Sequence, residues 1–294
     1  MRRRILLLSA LGLVAGLVMA QMNPNWPSWA GGRGQSRFDR AETARDVPSD
    51  STGTPMWENP SDFSRDVFTF TRIRYSNGST GYGGRRRGGG WSTDLPDSDL
   101  NLSYRLQQMT SIRVDPSGRI IRLTDPQLTD FPFIYMAEPG AIALDEAETV
   151  ALRDYLLNGG FLMLDDFWGE PAWDHVAFVF KEIFPDRDFV ELPLDHPLYR
   201  GVFEIKAKGQ VPNVGTGVQS QHTGITWERE DAREVHHRAI FDDKGRIIVL
   251  ATHNTDNGDG WEREGESDYY FHNFSEKIAY PLGINIIFYI MTHE

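Results

Sequence analysis

The sequence predicts one α/β domain built on a mainly parallel sheet, and three observations predict it. Short apolar runs of strand length, 133–137 and 161–164, alternate with amphipathic segments of helix length. The best of those helices, over 145–157, ends at Asn158-Gly159-Gly160 and passes at once into the second apolar run. No internal repeat and no second apolar core interrupts this pattern from about residue 66 onward. The 294 residues are 40% hydrophobic and 12% aromatic, enough for one sizeable core.

Each element has a local reason. Residues 67–75 are β-branched, aromatic and alternating, which reads as a strand. Residues 76–90 hold seven Gly and the triplet Arg85-Arg86-Arg87, a flexible loop or an anion grip at the sheet edge. Leu102, Leu106 and Met109 repeat at helical spacing behind Asp97 and Ser98, which are expected to cap that helix. Asp145 with Glu148 three residues on forms a capping-box pattern. Pro171 opens the next helix, whose stripe is Ala172, Val176, Val179, Phe180 and Ile183. Residues 189–192 read as a strand. Residues 238–241 and 246–251 flank Asp242-Asp243-Lys244-Gly245 as a hairpin, and 284–291 close the chain with helical spacing.

The N-terminal part has another character. Arg2, Arg3 and Arg4 precede a charge-free apolar run, and Val18-Met19-Ala20 offers a small-residue cleavage site before Gln21. Residues 1–20 therefore read as a secretory leader, with a retained anchor as the alternative, and place the chain in the bacterial periplasm or outside the cell. Membrane contact is expected only through an uncleaved leader. Residues 21–65 read as a flexible arm rich in Pro, Gly, Arg and Trp, with Trp26, Trp29 and Trp57 able to dock on a surface. Residues 66–294 form the α/β domain.

Composition excludes several classes of function. The chain has no Cys, which removes disulfides, zinc–thiolate sites, iron–sulfur clusters and cysteine nucleophiles. A net charge of −12 makes it a poor ligand for phosphate backbones, so nucleic acid is not an expected partner. Residues 21–90 carry ten Arg against seven acids, whereas residues 91–294 carry 17 basic and 35 acidic side chains. HExxH, GxSxG, SxxK and GxxxxGK[ST] are all absent.

In an open α/β sheet, ligands sit at the carboxyl ends of the strands. On the strands read above, those ends present Glu138, Asp165, Asp166, His253 and Asn254. The adjoining loops add Trp168, Asp256, Asp259 and Glu262. Carboxylates beside Trp could hold a divalent cation, act as acid and base on a sugar, or bind a polar ligand. The alternative is structural, with Asp165 and Asp166 accepting hydrogen bonds from helix N-termini or loop amides. Neighbours on a regular strand alternate faces, so one of these two should enter the crevice while His253 approaches it from the same edge. No cofactor is evident. Residues 254–262 miss calcium-loop spacing, because Gly258 occupies the third ligand position, and read as a Gly-rich turn. His236 and His237 are adjacent on a strand and cannot share an ion.

Several strings resemble the bacterial family of domains of unknown function 4159. They are Gly90-Trp91-Ser92-Thr93-Asp94 and its continuation to 101, residues 133–140, and residues 159–169 around Asp165-Asp166-Phe167-Trp168-Gly169. Pro212-Asn213-Val214-Gly215, residues 253–262 and Tyr280-Pro281-Leu282-Gly283-Ile284-Asn285 complete the set. The resemblance implies a flavodoxin-like, doubly wound sheet similar to class I glutamine amidotransferases, carried in larger relatives on membrane-anchored envelope proteins. It implies no chemistry, and without Cys the glutaminase reaction of that fold is not expected here. Two readings remain: a binding or assembly module for an envelope protein, polar small molecule or saccharide, and a carboxylate- or metal-dependent hydrolase of a saccharide or envelope polymer.

Overall fold

A computed structural model describes residues 38, 40–51, 53–60, 67–77 and 90–292. Seven strands form the central sheet: β1 (Thr71–Ile73), β3 (Arg119–Ile121), β4 (Phe133–Ala137), β6 (Phe161–Phe167), β7 (Val190–Glu191), β8 (His236–Phe241) and β9 (Ile247–His253). Their order is β3-β1-β4-β6-β9-β8-β7. The first five run parallel, while β8 and β7 extend the sheet by antiparallel pairing. Short strands β2 (Ser76–Asn77) and β5 (Ile142–Ala143) pair separately. The chain reverses its direction of travel across the sheet between β1 and β4, the position at which such sheets open a crevice.

The central strands are apolar throughout because both faces are covered. Along β4, Phe133, Tyr135 and Ala137 face one core, and Ile134 and Met136 face the other. The first core is closed by α1 (Asp97–Met109), a six-residue helix α5 (Asn257–Glu262) and the C-terminal helix α7 (Tyr280–Thr292), through Leu102, Trp261 and Ile286. The second is closed by α2 (Glu146–Leu157) and α3 (Glu170–Ile183), through Leu152, Leu156, Val176 and Phe180. Helix α4 (Val214–Thr223), the single turn α6 (Asp268–Tyr270) and a π-helical stretch, Phe271–Ala279, complete the chain. Among the described residues no helix is long and apolar enough to cross a membrane.

The expected capping box of α2 is present: Glu148 N donates to Asp145 Oδ1 at 2.8 Å, and Asp145 N donates to the Glu148 carboxylate at 3.1 Å. Other expectations need correction. Asp97 and Ser98 do not cap α1 but lie inside its first turn, where Asp97 accepts from Ser49 Oγ and the Asp50 amide. Ser98 Oγ instead accepts from Arg72. The strand read over 67–75 is regular only across 71–73, with an isolated bridge from Phe68 to Val114. The turn read over 254–262 is helical from Asn257.

The compact unit begins at Arg40, so residues 40–60, read from sequence as arm, lie on the domain. Ala44 and Val47 are buried, and Arg45 donates to the carbonyls of Pro116, Thr54 and Pro55. Trp57 Nε1 reaches Val114 O at 2.9 Å. The leader and the Arg85-Arg86-Arg87 loop fall outside the described residues.

Candidate functional site

A cavity of about 710 Å³ opens at the carboxyl edge of β4 and β6. Glu138 follows β4, Asp166 and Trp168 come from the end of β6, Asp256 caps α5, and Asp259 lies in its first turn. Two carboxylates not anticipated from sequence join them: Asp94, from the loop before α1, and Glu228, from the loop after α4. Asn213, Arg229 and Arg263 also face the cavity.

Asp165 and Asp166 separate because β6 bulges. Leu164 pairs with Ala251 but Phe167 pairs with His253, so the ladder slips by one residue between them. Asp166 takes up the slack with φ = 57° and turns into the cavity, where Trp168 Nε1 donates to its Oδ1 at 3.0 Å. Asp165 stays inside the core and is fully buried. It accepts from Tyr135 Oη (3.0 Å), Thr252 Oγ1 (2.5 Å), Asn257 Nδ2 (2.8 Å) and the Gly258 amide (3.0 Å). Asp165 therefore fastens α5 to the sheet.

His253 does not meet either aspartate. Its Nδ1 accepts from Arg238 Nη1 at 3.1 Å, and its Nε2 contacts Gly169 O at 3.1 Å as donor, which fixes one neutral tautomer. Burial lowers its pKa to about 4. Asn254 is likewise a brace, accepting from the Gly169 amide at 2.8 Å and donating to Glu234 O. Glu262 stands beside the cavity rather than in it and pairs with Arg263 at 2.8 Å. His236 packs against His253 and contacts Glu191, whereas buried His237 contacts Tyr199, so the two histidines serve opposite faces as expected.

The site is electrostatically loaded. Burial, then the proximity of Glu138 and Glu228, pushes Asp166 well above the usual carboxylate range. Burial does the same to Asp94, with Asp259 and Glu262 adding to it, and to Asp256, with Asp166 and Asp94 adding to it. Glu228 is raised by burial, and Glu262 by burial to about 8. Among the described residues, four that are not glycine have left-handed backbone: Asp94, Glu138, Asp166 and Asn254. Three of these line the cavity, and the fourth, Asn254, accepts from the Gly169 amide next to the lining residue Trp168. Such backbone persists only where surrounding structure imposes it, and it gathers at working sites.

Asp94 is held from below. Arg72, fully buried at the middle of β1, donates to Asp99 through Nε (3.0 Å), to Trp91 O (2.9 Å) and Thr93 O (2.8 Å) through Nη1, and to Ser98 Oγ (2.9 Å) through Nη2. One guanidinium thus fixes the backbone immediately before Asp94 and the start of α1. Opposite it, Gly258 allows close approach: a Cβ there would overlap the Asp94 carboxylate and come within 3.0 Å of the Tyr135 hydroxyl.

A family profile matches residues 69–291 of the chain. The protein belongs to that family, the Domain of unknown function (DUF4159). No protein of curated function matches it. Asp94 and Asn213 lie in strings that carry the family resemblance, a signal that could have placed them at the site. Glu228 carried no such signal.

Proposed function

We propose that this DUF4159 domain is an exported binding module of the bacterial cell envelope whose acidic cavity takes a polar ligand rich in hydrogen-bond donors. Hydroxyls or an ammonium of the saccharide or amino-sugar class suit it. The supporting observation is the lining: Asp94, Glu138, Asp166, Glu228, Asp256 and Asp259 face one cavity, with Arg263 already paired to Asp259. Carboxylates accept from hydroxyls and amines, and a surplus of them repels anions. The flavodoxin-like, amidotransferase-like reading of the sheet fits a cavity at the carboxyl edge of β4 and β6, next to the strand-order reversal. Glutaminase chemistry is set aside because the chain has no Cys. Export rests on the leader pattern of residues 1–20.

Hydrolysis of a glycosidic bond is the second reading, favoured by one observation: Asp166 and Asp256 are biased toward the protonated form that a general acid requires. One titration series separates the readings. Neutral and amino-sugar oligomers should bind without being cleaved, a polyanionic oligosaccharide should not bind, and Asp166→Asn should weaken binding at least about tenfold. Cleavage products would select the hydrolase. Equal binding of the polyanion would end both readings. N-terminal sequencing of the envelope fraction should find Gln21 first, and a cytoplasmic pool starting at Met1 would remove the export reading.

A further inference from the structure

We propose that Asp94, Asp256 and Asp259 form a binding site for a hard divalent cation of the calcium or magnesium class. One carboxylate oxygen from each lies within 4.8 Å of the others, and all three side chains are buried. Among the described residues this is the one such grouping of His, Asp and Glu. Three carboxylates around one point without nitrogen or sulfur donors suit an oxygen-seeking ion and leave open positions for water from the cavity.

Proximity of acids alone would not make a site; the state of Asp94 does. Its Oδ2 is buried and has no hydrogen-bond partner. Thr93 Oγ1, one residue earlier and lining the same cavity, is also buried and unpartnered. Buried polar atoms are nearly always paired, so two in one cavity lining mark a place where something else binds. The chain leaves room for that arrangement, since Gly258 has no side chain to obstruct the Asp94 carboxylate.

The other two ligands are already aimed. Asp256 Oδ1 accepts from the Asp259 amide at 2.7 Å, and Asp259 Oδ2 accepts from the Val214 amide at 2.7 Å. These amide bonds fix the direction of the two carboxylates, as outer partners do in built metal sites. The competing cation is Arg263, whose Nε lies 3.2 Å from Asp259 Oδ1 and 2.8 Å from Glu262. Arg263 is thus engaged with Asp259 and Glu262, and a divalent ion would neutralise all three aspartates together.

This inference concerns the same cavity as the ligand proposed above but can fail separately from it. The test is calorimetric titration of the mature chain, stripped with EDTA, with calcium, magnesium and manganese chlorides in the absence of saccharide. One ion per chain should bind, with an upward shift of the melting midpoint. Asp94→Asn should weaken binding at least about tenfold while the metal-free protein melts close to wild type, because the amide keeps the size and shape of the carboxyl group. Asp256→Asn keeps a capping side chain on α5 and serves as the second variant. Absence of heat and of any melting shift at about 10 mM of all three ions would overturn the site. So would undiminished binding in both variants. Saccharide binding that persists in EDTA while no ion binds would sink the cation site and leave the ligand reading standing. Ion binding with no saccharide binding would do the reverse.

Discussion

Replacing either of two adjacent aspartates by asparagine should separate scaffold from site. Asp165→Asn places an NH2 group where a carboxylate oxygen now accepts. The Gly258 amide cannot turn away, so the new amide oxygen must stay on its side, with the Tyr135 hydroxyl. The NH2 then faces Thr252 Oγ1 and Asn257 Nδ2. Thr252 can redirect its proton to Leu164 O, already 3.0 Å away, but Asn257 must flip or lose its acceptor. One buried hydrogen bond is lost or strained, a cost of about 2 kcal/mol, or roughly 4–8 °C in melting midpoint for a domain of this size. Asp166→Asn keeps the acceptor for Trp168 Nε1 and replaces a carboxyl that its neighbours hold toward the neutral form, so its midpoint should change by less than about 2 °C. Circular dichroism melts of both variants, with ligand titration in parallel, provide the readout. Equal destabilisation by the two substitutions, or a silent Asp165→Asn, would refute the division of labour.

Gly258→Ala should cost about 1–3 kcal/mol by driving a methyl group into the Asp94 carboxylate, and should weaken cavity binding more than it lowers the melt; unchanged binding would show that Asp94 can move aside freely. Buried His237, whose pKa burial lowers from 6.5 to about 3, binds a proton in the unfolded chain before the folded one as pH falls below 6.5. Its contribution is therefore complete above that pH and is lost toward pH 3, so His237→Phe should lose about 3 kcal/mol less than wild type between about pH 7 and about pH 4, measured by urea unfolding at each pH. Deleting residues 1–60 rather than 1–39 should cost about 3 kcal/mol more, because Val47 leaves its buried position and the Arg45 hydrogen bonds are lost; coincident melts of the two truncations would show that residues 40–60 only rest on the surface.

The parts of the fold legible in the sequence are those in which local pattern and burial agree. The apolar run of β4 and the Asp145–Glu148 box of α2 needed no tertiary information. Strand β3 is three residues long, one of them Arg119, and only its pairing with β1 makes it a strand. Helix α5 contains Gly258 and Gly260, which local propensity assigns to a turn; Asp165 on its Gly258 amide and Asp256 at its cap override that. That a cavity opens at the carboxyl edge was legible because crevices in such sheets form there. What sequence could not divide was Asp165 from Asp166, because strand alternation does not reveal a bulge, or assign Asp94 and Glu228, because loops distant in sequence bring them to the edge.

The position of Arg72 has a consequence for how occupancy of the cavity would be felt. The same side chain that belongs to β1 also holds the Trp91 and Thr93 carbonyls and the first turn of α1. The backbone that carries Asp94 is therefore in place only when β1 is seated between β3 and β4. An occupant touching Asp94 would raise the free energy of opening the whole sheet rather than that of one loop. In hydrogen exchange, amides of β1, β4 and α1 should slow together on its addition, so that protection deep in the scaffold reports what happens at its rim.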